Sequence, residues 1–176
     1  MNTKFSFRQL DSKDRDSYFS FRLDALETYP QAFATSAEEW RNAPPDKIDS
    51  LLLASERNSD PILGAFTSSS TLVGSIGLTR ESKASIQHKA SLVALYVAPA
   101  LRHQGIGTQL VTEMLNRTRE LPGLLFVRLV VDSENADAIR LFEKSGFLVY
   151  GREPQARRVE ERYYDQSYML CFLHNP

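Results

Sequence analysis

One cysteine in 176 residues, Cys171, leaves nothing to form an internal disulfide with, which fits a reducing cytoplasm. Neither sign of charge dominates. With 21 Lys and Arg against 22 Asp and Glu the net charge is −1, and no global field points to nucleic acid or an acidic membrane. The longest apolar run, Leu92 to Leu101, is about half of what a membrane-spanning helix needs. Met1-Asn2-Thr3-Lys4 leads into an alternating pattern from Phe5 to Leu10 without a secretory apolar core. The histidines are few and scattered (His88, His103, His174), none at metal-ligand spacing with a carboxylate or with Cys171, so no metal site is expected. What is present is ordinary globular composition, 42% hydrophobic and 24% charged, enough for one well-buried core. The expectation is a cytoplasmic, soluble, single domain spanning residues 1–176.

Periodicity orders the chain. Phe5–Leu10 reads as a strand, and Asp11 then caps a helix carrying Phe19, Leu23 and Leu26 as far as Pro30. Ser36-Ala-Glu-Glu39 has the form of a capping box before Trp40, and a helix from Asp46 places Ile48, Leu51 and Leu52 on one face. Ile62–Thr67 and Leu72–Thr79 read as a hairpin, and Leu92–Val97 as a third strand. A helix from Gly105 to Glu120 buries Ile106, Leu110, Val111, Met114 and Leu115. Leu124–Val131 is apolar enough for a strand covered on both sides. A short helix from Asn135 to Gly146 buries Ala138, Leu141 and Phe142, and two strands near Phe147–Gly151 and Tyr163–Leu173 flank a mixed-charge loop, Arg152–Arg162. The fold class is mixed α/β.

The chemistry concentrates in Val97-Ala-Pro-Ala-Leu-Arg-His-Gln-Gly-Ile-Gly-Thr108, between an apolar strand and an amphipathic helix. Two glycines opening a helix leave amides uncovered at the positive end of its dipole, a setting for phosphate, and Arg102 adds a full charge. There is no third glycine for a dinucleotide fingerprint and no Lys-Ser/Thr for a P-loop. Arg102-x-x-Gly105-x-Gly107, followed by Asn135-Ala-Asp-Ala138-Ile-Arg-Leu141-Phe142-Glu-Lys-Ser-Gly146-Phe147, resembles the paired signatures of the GNAT superfamily of N-acetyltransferases. The resemblance covers about Leu72 to Gly151.

That resemblance implies a central mixed sheet with helices on both faces, splayed beside Leu92–Val97, where acetyl-CoA lies as the cosubstrate. Backbone groups near Leu95 and Val97 would take the pantetheine arm and the thioester carbonyl. Amides of Arg102, His103, Gln104, Gly105, Ile106, Gly107 and Thr108 would take the pyrophosphate. Asn135 would hydrogen-bond near the pantetheine, besides capping its helix, and Phe142 would pack on that arm. Lys144 or Arg140 would reach the 3′-phosphate, though a solvated helix face accounts for both.

Two residues of the family pattern are absent. Phe142 stands where many members have a Tyr that protonates the departing thiolate, and Leu92–Val97 carries no Glu to serve as base. A thiol with pKa ~8.5 leaves tolerably unaided, whereas an amine with pKa ~10.4 is almost wholly protonated at pH 7. Replacement candidates are Tyr164 and Tyr163 near the last hairpin, Tyr96 on the cleft strand, and Glu38 in the acceptor-side segment, ahead of Glu39 and Glu27. Tyr29–Ser36 would supply an apolar acceptor wall. The acceptor class expected is a small-molecule amine, with a protein N-terminus, such as that of a ribosomal protein, and a non-catalytic acyl-CoA-binding module as alternatives. A homodimer stays open as the assembly.

Overall fold

The computed structural model describes residues 4 to 174, so residues 1–3 and 175–176 of the expected domain lie outside the described part. Seven strands form one sheet in the order β1-β2-β3-β4-β5-β7-β6. They are β1 (Phe5–Gln9), β2 (Ile62–Thr67), β3 (Leu72–Arg80), β4 (Lys89–Val97), β5 (Phe126–Asp132), β6 (Leu148–Val159) and β7 (Arg162–Phe172). All neighbours are antiparallel except β4 and β5. The helices are α1 (Arg15–Thr28), α2 (Ala37–Arg41), α3 (Pro45–Glu56), α4 (Ile106–Arg119) and α5 (Ala136–Lys144).

The caps read from the sequence form. Ser36 Oγ accepts from the Glu39 amide at 3.1 Å while Glu39 Oε2 accepts from the Ser36 amide at 2.7 Å. Asp11 caps a single 3₁₀ turn, Ser12–Asp14, rather than α1 itself. Asp14 returns the cap and also takes both arms of Arg8 at 2.6 and 2.7 Å, and that guanidinium holds its buried carboxyl below the usual range. The buried face of α1 differs from the one the spacing suggests. Tyr18, Ala25 and Leu26 are inside, while Phe19 and Leu23 are only half-buried.

Apolar side chains divide between the two faces of the sheet. One cluster joins α4 and α5 to the middle strands through Leu110, Met114, Val127, Phe142, Phe147 and Met169. The other packs α1, α2 and α3 on β2 and β3 through Leu26, Trp40, Leu52 and Phe66. Two expectations change. β5 is fully covered on one face only; on the other, Phe126 and Arg128 are half-buried, Val130 is 45% exposed, and only Asp132 at the end is buried. The stretch Arg152–Arg162 is the end of a long β6–β7 hairpin rather than a loop. Asp165 organises its bulge by accepting from the Gln155 amide at 2.8 Å and from Arg152 at 2.9 Å.

The sheet opens between its parallel strands. β4 pairs with β5 only over Lys89–Ser91 and Phe126–Arg128, and beyond these residues the strands part. On the other side of β4, Val93 faces Gly77 and Tyr96 faces Ser75, so Ala94 and Leu95 together oppose Ile76. This bulge puts Ala94 at φ 56° and turns the strand beside the opening.

Candidate active site

A cavity of about 640 Å³ occupies the opening, bounded by β4, the start of α4, one flank of α5, the turn after α1 and the near end of β7. Alternate residues of a strand turn their backbone groups to opposite edges. The Ala98 amide donates to Val73 on β3 at 2.9 Å and the Ala94 carbonyl accepts from Ser75 Oγ at 3.4 Å. The backbone groups of Leu95 and Val97 therefore face the cavity, where β5 has moved away.

At one end of the opening α4 begins. Its N-cap is Gly105 at φ 82°, with nothing within 4 Å of where a Cβ would be, and no side chain caps the helix. The first-turn amides thus lack intrahelical partners and sit at the positive end of the dipole. Gly107 is needed for another reason. A Cβ there would lie 2.9 Å from Leu141 Cδ1 on α5, so its absence lets the two helices close on each other. This arrangement fits acetyl-CoA: free amides for a pyrophosphate, an unpaired strand edge for an amide-bearing arm, and an apolar flank from Ala138 and Leu141.

Arg102 lies elsewhere than a phosphate-loop reading suggests. Its Nε donates to the Val97 carbonyl at 3.1 Å and its Nη1 to Tyr29 Oη at 2.9 Å, with the guanidinium 4.5 Å from the Tyr29 ring centroid. The opposite end of the cavity is aromatic. Tyr96 is buried against Phe21, Tyr29 and Phe33, at centroid distances of 5.2, 6.1 and 6.4 Å. Its hydroxyl donates to Asp24 Oδ2 at 2.9 Å, and burial together with that carboxylate pushes the phenol up to about 12.

Of the residues the sequence singled out, Leu95, Val97, Arg102, His103, Gly105, Ile106, Gly107, Thr108, Asn135, Lys144 and Tyr164 line the cavity. Asn135 Oδ1 also accepts from the Ala138 amide at 3.1 Å, so it caps α5 as well. Six others lie away from it, Glu27 and Glu39 among them. Phe142 is on the inner side of α5, in edge contact with Phe147 at 5.6 Å, and Leu141 takes the place beside the cavity. Gln104 is exposed and accepts from Lys4 Nζ at 2.5 Å. Tyr163 is 53% exposed beside Arg158, because strand alternation sends it to the face opposite Tyr164. Glu38 is exposed on α2, outside the cavity lining. Gln31, within the expected Tyr29–Ser36 wall, also lines the cavity, as do Asp132 and Arg162, which the sequence reading did not assign to the site. No run of residues marks them, since tertiary divergence of β4 and β5 is what uncovers Asp132. Among the described residues no cluster of His, Cys, Asp and Glu is placed to hold a metal ion, and no helix is long and apolar enough to cross a membrane.

The profile of the acetyltransferase (GNAT) family matches residues 18–147, and the chain belongs to that family of acetyl-CoA-dependent acyltransferases. Mycothiol acetyltransferase of Brachybacterium faecium is 29% identical over 154 residues, 85% of this chain, and the chain spans only 42% of that protein. Spermidine N(1)-acetyltransferase of Thermoplasma acidophilum is 32% identical over 119 residues, covering 67% of this chain and 70% of the relative. The structure of yncA from Salmonella typhimurium, solved with its cofactor acetyl-CoA, superposes with a TM-score of 0.85 at 20% identity, over 99% of this chain and 96% of that one.

Proposed function

We propose that this chain is a cytoplasmic N-acetyltransferase that acetylates the primary amine of a small molecule by direct attack of the neutral amine. The observation that carries the acceptor class is closure of the aromatic end. The turn Pro30–Ala32 lies over the sheet there, and Arg157 Nη1 donates to the Gln31 carbonyl at 3.3 Å across it. A chamber so roofed suits a small ligand with a few polar anchors better than an extended chain.

Bound acetyl-CoA supplies the thioester. Backbone groups of Leu95 and Val97 hold its arm as an added strand and polarise the acyl carbonyl. The amides from Gly105 to Thr108 take the pyrophosphate, Lys144 on the exposed flank of α5 the 3′-phosphate, and Asn135 a polar group of the arm. Tyr164 is the phenol offered to the leaving sulfur, which needs little help because thiols have pKa values near ~8.5. Tyr96 stays protonated and holds the aromatic wall to Asp24.

Two measurements test the proposal. Acetyl-CoA should raise the melting temperature by binding linkage, and free thiol should then appear with one or more amines from a panel of polyamines, amino acids, aminoglycosides and peptide N-termini. No thermal shift at millimolar acetyl-CoA refutes the cofactor site. A shift without amine-dependent thiol release identifies a non-catalytic acyl-CoA-binding module. Turnover confined to peptide N-termini overturns the small-molecule acceptor.

A further inference from the structure

One role is unfilled in the acetyltransferase reading, on which this inference rests. A primary amine reaches the cavity as an ammonium ion at neutral pH, and taking that charge out of water is costly unless a counter-charge meets it. β4 offers no carboxylate. Three carboxylates line the cavity, from Asp132, Glu134 and Asp137. Glu134 is bound to Arg162 at 2.7 Å and Asp137 to Arg140, and all four side chains are exposed. Asp132 differs on both counts. It is 8% exposed and joins no ion pair among the described residues.

Its place in the fold accounts for this. Asp132 ends β5, well past the last β4–β5 pair, so the parting of those strands puts it at the opening. One oxygen, Oδ1, accepts from the Glu134 amide at 2.9 Å, while the other has no protein donor among the described residues. The nearby cation, Arg157, feels the charge of Asp132 but makes no hydrogen bond to it, and three of its five N–H groups are engaged elsewhere. Nη1 bonds the Gln31 carbonyl, and Nε and Nη2 bond the Gln166 side-chain oxygen at 3.0 and 2.8 Å, with that amide turned so that both its ends are satisfied. Gln166 is the register partner of Asp132 across β5 and β7, so it holds Arg157 beside the carboxylate without bridging to it.

We propose that Asp132 is the acceptor-binding carboxylate, its unbonded oxygen receiving an N–H of a cationic primary amine. The cavity then selects acceptors by charge at this point and by aromatic contact with Phe33 and Tyr96 beyond it.

The test uses benzylammonium and its uncharged counterpart benzyl alcohol, titrated by NMR into the full chain, both free and loaded with CoA. Asp132→Asn removes the charge and keeps an oxygen for the Glu134 amide, and Asp132→Ser, which can form the same turn bond, serves as the second variant. Wild-type protein should bind benzylammonium more tightly than benzyl alcohol. Either variant should weaken benzylammonium by about 10- to 100-fold, the size of a lost charged hydrogen bond, with benzyl alcohol and acetyl-CoA affinities unchanged. In turnover the loss should fall on KM for the amine rather than on KM for acetyl-CoA. Equal benzylammonium affinity in wild type and variants, or no preference for it over the alcohol, overturns the proposal. Failure of acetyl-CoA to bind strikes the acetyltransferase reading instead, since the amine titration of the free chain judges Asp132 separately.

Discussion

Gly107 offers a test in which the physical cause can be isolated. A methyl at this position would meet Leu141 Cδ1 at 2.9 Å and Val97 Cγ2 at 3.7 Å, and only the first is closer than van der Waals contact allows. Leu141 is half-buried against the main core, so it cannot swing clear without losing its own contacts. Gly107→Ala should therefore cost about 1–3 kcal/mol, the usual range for overpacking, and lower Tm by roughly 2–10 °C for a chain of this size. It should also shrink the acetyl-CoA thermal shift, because the first turn of α4 must move. Leu141→Ala removes the obstructing atom at a cost of its own of about 1–3 kcal/mol, below the fully buried range because the site is half-open. In that background Gly107→Ala should cost less than about 0.5 kcal/mol and the acetyl-CoA shift should recover. Gly105→Ala is the control. Its site is open and its φ is 82°, so the cost of about 1–2 kcal/mol is backbone strain that Leu141→Ala cannot relieve. Urea unfolding of the four proteins in the cycle, with Gly105→Ala in both backgrounds, reads these numbers directly. Additivity of Gly107→Ala and Leu141→Ala within about 0.5 kcal/mol would refute the steric account.

Two further outcomes follow from groups that ionise in unusual surroundings. Tyr96 has its phenol raised above the ordinary value near ~10, so its contribution to stability is complete below that pH and is lost as pH rises through about 12. Ultraviolet titration of the folded protein should show several late tyrosinates, since Tyr18 and Tyr168 are raised as well, and Tyr96→Phe should remove one near pH 12; a late component of unchanged size in that variant would contradict the Asp24 contact. Arg22 stacks 4.2 Å from the Phe33 ring centroid, but its Nη1 is buried with no hydrogen-bond partner among the described residues, and burial lowers its pKa. The unbonded donor should cost about 1–3 kcal/mol, more than the ~0.5–1 kcal/mol gained by stacking, so Arg22→Met should leave Tm unchanged or raise it. A Tm loss equivalent to more than ~1 kcal/mol would show that the guanidinium is satisfied in solution.

Local patterns carried most of the elements, and tertiary geometry carried most of the site. The capping box at Ser36 and Glu39 and the buried face of α4 depend on residues within one or two turns of each other, and both were legible. The amides at the start of α4 were legible for the same reason, since Gly105 and the dipole belong to one helix. Phe142 was expected at the pantetheine arm by resemblance. On a helix, however, one residue is a 100° turn, and Leu141 takes the cavity side while Phe142 joins Phe147. Alternation along β7 likewise separates Tyr164 from Tyr163, although neighbours in sequence look interchangeable. Asp132 could not be found from the sequence. Its exposure to the cavity depends on β4 and β5 ceasing to pair at Ser91 and Arg128, and no residue near Asp132 encodes where that occurs.

Arg102 shows how the two halves of the cavity are joined. In the sequence it stands at the head of a phosphate loop, and a cation there needs no further explanation. In the fold its side chain turns back, with Nε on the Val97 carbonyl and Nη1 on the Tyr29 hydroxyl. The first contact fixes it to the edge of β4 that lines the cavity, and the second to the turn after α1 that lines its other end. The flat guanidinium can make both because its donors diverge in one plane while its face rests on the Tyr29 ring, a geometry a lysine ammonium does not have. Tyr29 in turn packs on Tyr96, which Asp24 ties to α1. The charge that the sequence reading assigns to the cofactor is, in the structure, bonded to both β4 and the turn after α1.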